Sequence, residues 1–134
     1  MNTIKTISIR LKPGQDLKEE LDALAVNNHL KAACVLTCVG SLTTAVLRYA
    51  NQPITSTLTG HFEIVSLTGT MSLHGSHYHI SISDGDGRTY GAHLMEGCKI
   101  YTTAEIVVAI IEDVEYLREM CSESGYPELV VRQE

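Results

Sequence analysis

The segment Asp84-Gly85-Asp86-Gly87 is the strongest turn signal in the chain, and it stands between two alternating runs, His77 to Ser83 and Thr89 to Leu94. Asp and Gly accept the left-handed backbone that tight turns require, so the pattern specifies a β-hairpin. Residues two apart in a strand face the same way, so His77 and His79 project together while Tyr78 and Ile80 point away. The return strand brings His93 level with them. His93 joins their face if it falls opposite His77 or His79, and leaves it if it falls opposite Tyr78. A connection of about three or five residues gives the first outcome, and glycines in the turn make a bulged loop easy.

Cross-strand neighbours have Cβ atoms roughly 4.5–5.5 Å apart, so three imidazoles on one face can converge on one ion. Neutral imidazoles suit Zn²⁺ first, with Fe²⁺, Ni²⁺ and Co²⁺ as other occupants. Three protein ligands leave one coordination position open to water or a small ligand, as in catalytic zinc sites and unlike closed structural ones. The competing reading is a hydrogen-bonded histidine set on a strand, and spacing alone leaves both open. The remaining histidines are weaker candidates. His74 precedes a Gly-Ser turn, His61 opens a strand, and His29 follows a helix end, where a solvated cation is favourable.

Two further residues are candidates for catalysis. Glu63 lies between Phe62 and Ile64, where burial would raise its pKa and suit it to general acid–base work. The plainer expectation for it is an exposed strand carboxylate. Arg48, in Val46-Leu47-Arg48-Tyr49, is its natural partner charge if both face one cleft. Asp84 and Asp86 read as turn formers, without the ligand spacing of a calcium loop. The chain has no phosphate-binding loop, no dinucleotide fingerprint, no Gly-x-Ser-x-Gly elbow and no paired Cys–His nucleophile.

Elsewhere the pattern alternates between strand and turn. Thr6 to Leu11 places Ile7, Ile9 and Leu11 on one face, and Pro13-Gly14 ends that strand. Asp16 followed by Glu19 forms a helix start, with Leu17, Leu21, Leu24 and Ala25 at helical spacing over about residues 15–28. Ala32 to Val39 is apolar on both faces and reads as a central strand closed by Gly40-Ser41. Ala45 to Tyr49 is a strand, Asn51-Gln52-Pro53 a loop, and Phe62 to Leu73 a strand with a break at Gly69. Ala104 to Ile111 fits strand or helix, and its β-branched residues favour strand. Glu112 to Met120 reads as a short helix or irregular segment, and Leu129 to Val131 as a short terminal strand. These elements predict a single α+β domain over residues 1–134: a mainly antiparallel β-sheet flanked by a few helices.

The bulk numbers fit that picture. With 134 residues, 44% hydrophobic and 19% charged, the chain can bury a core. There is no Trp and only one Phe, so small aliphatic residues must do most of the packing. The formal charge is −6 and the ten Lys and Arg are dispersed, which argues against direct binding of nucleic acid. No stretch has the length or apolarity of a membrane span, and the first residues form no apolar signal core, so a cytoplasmic location is expected. Cys34, Cys38, Cys98 and Cys121 show no Cys-x-x-Cys spacing and read as free thiols; Cys34 and Cys38, four apart inside an apolar run, read as small buried core residues, with a redox or ligand role as the alternative.

Several blocks together resemble the plants-and-prokaryotes conserved (PPC) domain family. They are Leu11 to Leu17, Gly40-Ser41-Leu42, Gly60 to Gly69, His77-Tyr78-His79, Gly91-Ala92-His93-Leu94 and Thr103-Ala104-Glu105, in the family's order and spanning about residues 6–131. The resemblance implies an α+β fold, a homotrimer, and a three-histidine metal unit carried onto His77, His79 and His93. The apolar two-sided strands at Ala32 to Val39 and Ala104 to Ile111 are compatible with a trimer. In plants the domain follows an Arg-Gly-Arg minor-groove binder. No such motif occurs in this sequence, so the chain resembles the stand-alone prokaryotic type. The family's Gly-Gly-His-Leu reads Gly91-Ala92-His93-Leu94 here, one methyl larger beside the third ligand. Three functions stay open at this point. The first is a homotrimeric metal-binding module, with a small-molecule ligand at the metal. The second is a metal-dependent enzyme acting on a small anionic substrate through Glu63 and Arg48. The third is a DNA-associated regulator working through a partner.

Overall fold

A computed structural model describes residues 1–134. Alternation sets the first strand: along β1 (Ile4–Leu11), Ile7, Ile9 and Leu11 turn inward while Ser8 and Arg10 stay exposed. The helix α1 (Leu17–Asn27) starts where Asp16 accepts a hydrogen bond from the Glu19 backbone N–H at 3.0 Å. It buries Leu17, Leu21 and Ala25, one stripe at helical spacing, against β3 and β6. The other strands are β2 (Ala33–Arg48), β3 (Ser56–Ser72), β4 (Gly75–Ser83), β5 (Thr89–Leu94), β6 (Lys99–Ile111), β7 (Val114–Met120) and β8 (Pro127–Gln133).

Six strands form one antiparallel sheet in the order β1-β6-β2-β3-β4-β5. The far end of β2 also pairs with β5, through Leu47–Leu94 and Arg48–His93. The sheet therefore curls until β2, β3, β4 and β5 close on one another, and Leu42, Leu47, Met71, Ile82, Ile100, Ile106 and Val108 fill the interior with α1. A separate two-stranded sheet, β7-β8, packs beside β3.

The chain has one helix, not a few. Residues expected as a short helix or irregular segment, Glu112 to Met120, instead turn at Asp113 (φ 63°) and run as β7, paired in register with β8 from Val114–Gln133 to Met120–Pro127. Local pattern cannot decide such a segment, because its stability comes from a partner strand further along the chain. Gly40-Ser41 does not end a strand either. The residue Gly40 sits mid-strand between Ile64 and Ala104, and a Cβ there would collide with the backbone of Thr103 and Ala104. That glycine permits close strand approach where the sequence suggested punctuation. Strands β2 and β3 accordingly run longer than their apolar cores, with bulges where the pairing shifts between Leu42 and Thr44 and between Ile64 and Ser66.

Candidate metal centre

The hairpin β4–β5 closes as its turn residues dictate. Asp84 accepts at Oδ1 from the backbone N–H of Asp86 and Arg88, both at 2.9 Å, and Gly87 takes φ 80°. Ser83 pairs with Thr89, so residues 84–88 form the connection. This even register sets His93 directly opposite His79 and Ala92 opposite Ile80. On the other edge of β4, His79 pairs with Thr68 and His77 with Thr70. One ladder thus crosses four strands as Thr68, His79, His93 and Arg48, all on the outer face of the sheet. Their chain neighbours Tyr78, Ile80, Leu94 and Leu47 are buried on the other side. A polar anchor holds β4 in place from within: Asp22 of α1 accepts from Ser76 Oγ at 2.6 Å and from the Tyr78 hydroxyl at 2.9 Å.

The three imidazoles converge. Ring centroids lie 4.9 Å apart for His77–His79, 4.7 Å for His79–His93 and 5.7 Å for His77–His93. One nitrogen from each ring lies within 4.8 Å of the others. A tetrahedral zinc site with bonds of about 2.0–2.1 Å places its ligand nitrogens roughly 3.3 Å apart, so the rings reach that geometry by small side-chain rotations. The donor set fits a divalent ion for a second reason. Partial desolvation lowers the pKa of His77 and of His93; for His77 the neighbouring His79 adds to this, and for His93 the charge of Arg48 does. Both shifts favour the neutral form that ligates metals.

Around the cluster, Arg48 is half-buried and is the cross-strand partner of His93. Arg118 of β7 donates to Thr70 Oγ1 at 3.1 Å, next to His77. Sequence reasoning missed Arg118, and no local signal marks it, since β7 itself was unassigned. A groove of about 360 Å³ lies beside the rings, lined by Ser66, Thr68, His79, Ser81 and His93 among others. Glu63 is exposed, as the plainer of its two expectations has it. It pairs with Ser83, which places it on the order of 13 Å along the sheet from His79 at about 3.3 Å per residue. Arg48 is level with His79 through His93, so within one chain Glu63 and Arg48 stand about four residue positions apart along the sheet. The other histidines lie apart from the cluster. His74 pairs with Glu115 at 3.0 Å, Glu115 is also bonded by Arg132, and His61 packs on Tyr101 with ring centroids 4.5 Å apart. His29 terminates the helix region with φ 49°.

Comparison with known proteins places this architecture. Residues 1–112 match the Plants and Prokaryotes Conserved domain. The chain belongs to that family. Its β7–β8 hairpin lies wholly beyond the matched region of the Plants and Prokaryotes Conserved domain, and with it Arg118. A hypothetical protein from Salmonella cholerae-suis has the same structure with TM-score 0.97 and 41% identity, covering 100% of this chain and 97% of that one. A metal-containing protein from Archaeoglobus fulgidus superposes with TM-score 0.82 and 25% identity, covering 94% of this chain and 93% of that one. In sequence the domain is 43% identical over 130 residues to the bifunctional protein GlmU of a Synechococcus strain. The match takes in 97% of this chain and 21% of that protein, so the chain spans about a fifth of the curated relatives it matches.

Proposed function

We propose that the protein is a cytoplasmic, homotrimeric metal-binding module whose His77, His79 and His93 hold one divalent ion, zinc first among them. The observation that carries this reading is the convergence of three ring nitrogens to within 4.8 Å on one sheet face. The metal-containing relative from Archaeoglobus fulgidus supports it. When bound, such an ion supplies an open Lewis-acid position for water or a small ligand. The chain's own residues aim the rings, and the desolvation and cationic neighbours of His77 and His93 favour neutral donors.

The trimer rests on the same outer face. Leu36, Val39, Val65 and Tyr101 are exposed by 52%, 62%, 58% and 43%. The pairs Gly40–Ile64 and Cys34–Thr70 share one register, which sets Val39 level with Val65 across β2 and β3. Apolar side chains so grouped on a sheet are costly in water and are covered by association. Light scattering at micromolar concentration tests this, and a monomeric mass overturns it.

The test of the metal is elemental analysis of protein purified without a histidine tag, beside the His77→Ala, His79→Ala double variant. About one equivalent per chain, lost in the variant, is expected if the rings act as one site. Equal metal in both proteins defeats the reading. A second reading, a metal-dependent enzyme, is favoured by the groove beside His79 and His93 and by Arg48, the cross-strand partner of His93. It predicts turnover that vanishes in His93→Ala while the fold persists. A role at DNA would run through a partner, because a net charge of −6 opposes direct contact with phosphates.

A further inference from the structure

Two arginines stand at the cluster without a carboxylate. The chain has five arginines; Arg132 is paired with Glu115, Arg88 lies 4.0 Å from Asp86, and Arg10 donates to Thr103 Oγ1 and the Thr102 carbonyl on β6. Arg48 and Arg118 form no ion pair with any acidic residue. They approach the three rings from opposite ends. Arg48 is directly cross-strand from His93, so their side chains leave the same face within contact distance. Arg118 reaches over from β7 and bonds Thr70 Oγ1 at 3.1 Å, and Thr70 is the cross-strand partner of His77. Its Cγ already lies against Gly75 at the start of β4: a Cβ added there would meet it at 3.3 Å. The side chain is therefore laid along the strand that carries His77 and His79.

An acidic protein that leaves two guanidinium groups without an ion pair beside three imidazoles builds a local positive field against its own net charge. A divalent ion at the rings would deepen that field; Glu128 of β8 is the one carboxylate whose charge reaches His77, and it forms no ion pair with either arginine. Guanidinium groups bind carboxylate and phosphate oxygens through paired N–H donors, a geometry that an ammonium group lacks. We infer that the site takes a small oxyanion, a carboxylate or phosphate group, held by Arg48 and Arg118 beside the three rings, where a bound metal would add its own attraction for an anionic oxygen. The inference rests on the three-histidine metal reading and adds to it the chemical class of the ligand. It also assigns the β7–β8 hairpin a role: it supplies one of the two anion-holding groups from outside the matched region of the domain.

The experiment titrates zinc-loaded protein, its zinc content measured beforehand, with inorganic phosphate and separately with malonate, by calorimetry at low ionic strength. Saturable binding of at least one of them is expected. In Arg48→Gln and Arg118→Gln the affinity should fall about tenfold to a hundredfold each, as expected for losing a hydrogen bond to a charged group, with zinc content unchanged. Lys12→Gln, an exposed cation away from the rings, should bind as wild type does. A preference for phosphate over malonate, or the reverse, assigns the ligand class within the proposal. Failure of both anions to bind zinc-loaded wild type overturns it, as do Arg48→Gln and Arg118→Gln variants that bind undiminished. Those failures leave the metal reading standing, whereas a protein that takes up no zinc fails at the first measurement.

Discussion

Replacing Gly69 by Ala tests how the sheet holds the histidines. Gly69 pairs with Tyr78, between the pairs Thr68–His79 and Thr70–His77. A Cβ built on Gly69 would lie 2.5 Å from the His77 carbonyl oxygen and 2.5 Å from Tyr78 Cδ1. An ordinary C···O contact is about 3.3 Å, so β3 and β4 must part by nearly 1 Å at this pair. The ring of Tyr78 cannot simply swing aside, since its hydroxyl is bonded to Asp22 and its body is 2% exposed. Overpacking of this kind costs about 1–3 kcal/mol, and one or two stretched ladder bonds add about 1 kcal/mol each. The sum is about 3 kcal/mol, a large share of the ~5–15 kcal/mol that holds a domain together, and corresponds to a Tm drop of about 10 °C. Urea denaturation at fixed protein concentration reads it, with Gly85→Ala as control, because a Cβ at Gly85 meets nothing within 4 Å. Zinc affinity should fall in parallel, since the same displacement moves His77 and His79 relative to His93. A Gly69→Ala protein within about 0.5 kcal/mol of wild type, with full zinc affinity, would refute the close-approach argument.

Three further outcomes follow from the same structure. His77 and His93 have folded-state pKa values below their unfolded values, so the unfolded chain takes up protons first as pH falls. Their contribution to metal-free stability is then complete above about pH 6.5 and is lost as pH drops below it, and zinc affinity declines over the same range. Urea melts of chelator-treated protein between pH 5 and 8 should show this slope, and His77→Asn should flatten it; an unchanged slope would contradict the assignment. Asp16→Ala removes the helix cap and leaves the Gly97 N–H, now bonded to Asp16 Oδ2 at 2.6 Å, without its acceptor. It should cost about 2–3 kcal/mol, and a loss below 0.5 kcal/mol in the same melts would count against the cap. Finally, burial pushes the Cys38 thiol up to about 12 and Cys98 to about 11, while hydrogen bonds from Ser124 lower that of Cys121. A thiol reagent near neutral pH should label Cys121 first and reach Cys38 and Cys98 only on unfolding. Mass spectrometry of a labelling time course checks the order, and early modification of Cys38 would overturn it.

Legibility differed by element for identifiable reasons. The strand β1, the helix start at Asp16 and the β4–β5 hairpin each carry their own determinants, an alternation or a cap or a turn, and all appear in the structure at or near their expected limits. Gly40 and Gly69 were misread as boundaries because glycine looks the same in sequence whether it ends a strand or lets two strands touch. Glu63 follows the plainer of its two expectations: its neighbours Phe62 and Ile64 are buried, and in a strand that puts Glu63 on the outside.

The sequence by itself determined the hairpin, and through its side-chain alternation restricted His93 to two outcomes, with or against the other two rings. The choice between them belongs to a five-residue connection whose Asp84 hydrogen bonds fix the register. What only tertiary structure decided is the surrounding charge. Arg48 arrives because β2 curls round to pair with β5, and Arg118 because β7 finds β8 and packs beside β3. Both contacts join residues far apart in the chain, where no local propensity operates and only the burial of the shared core selects the arrangement.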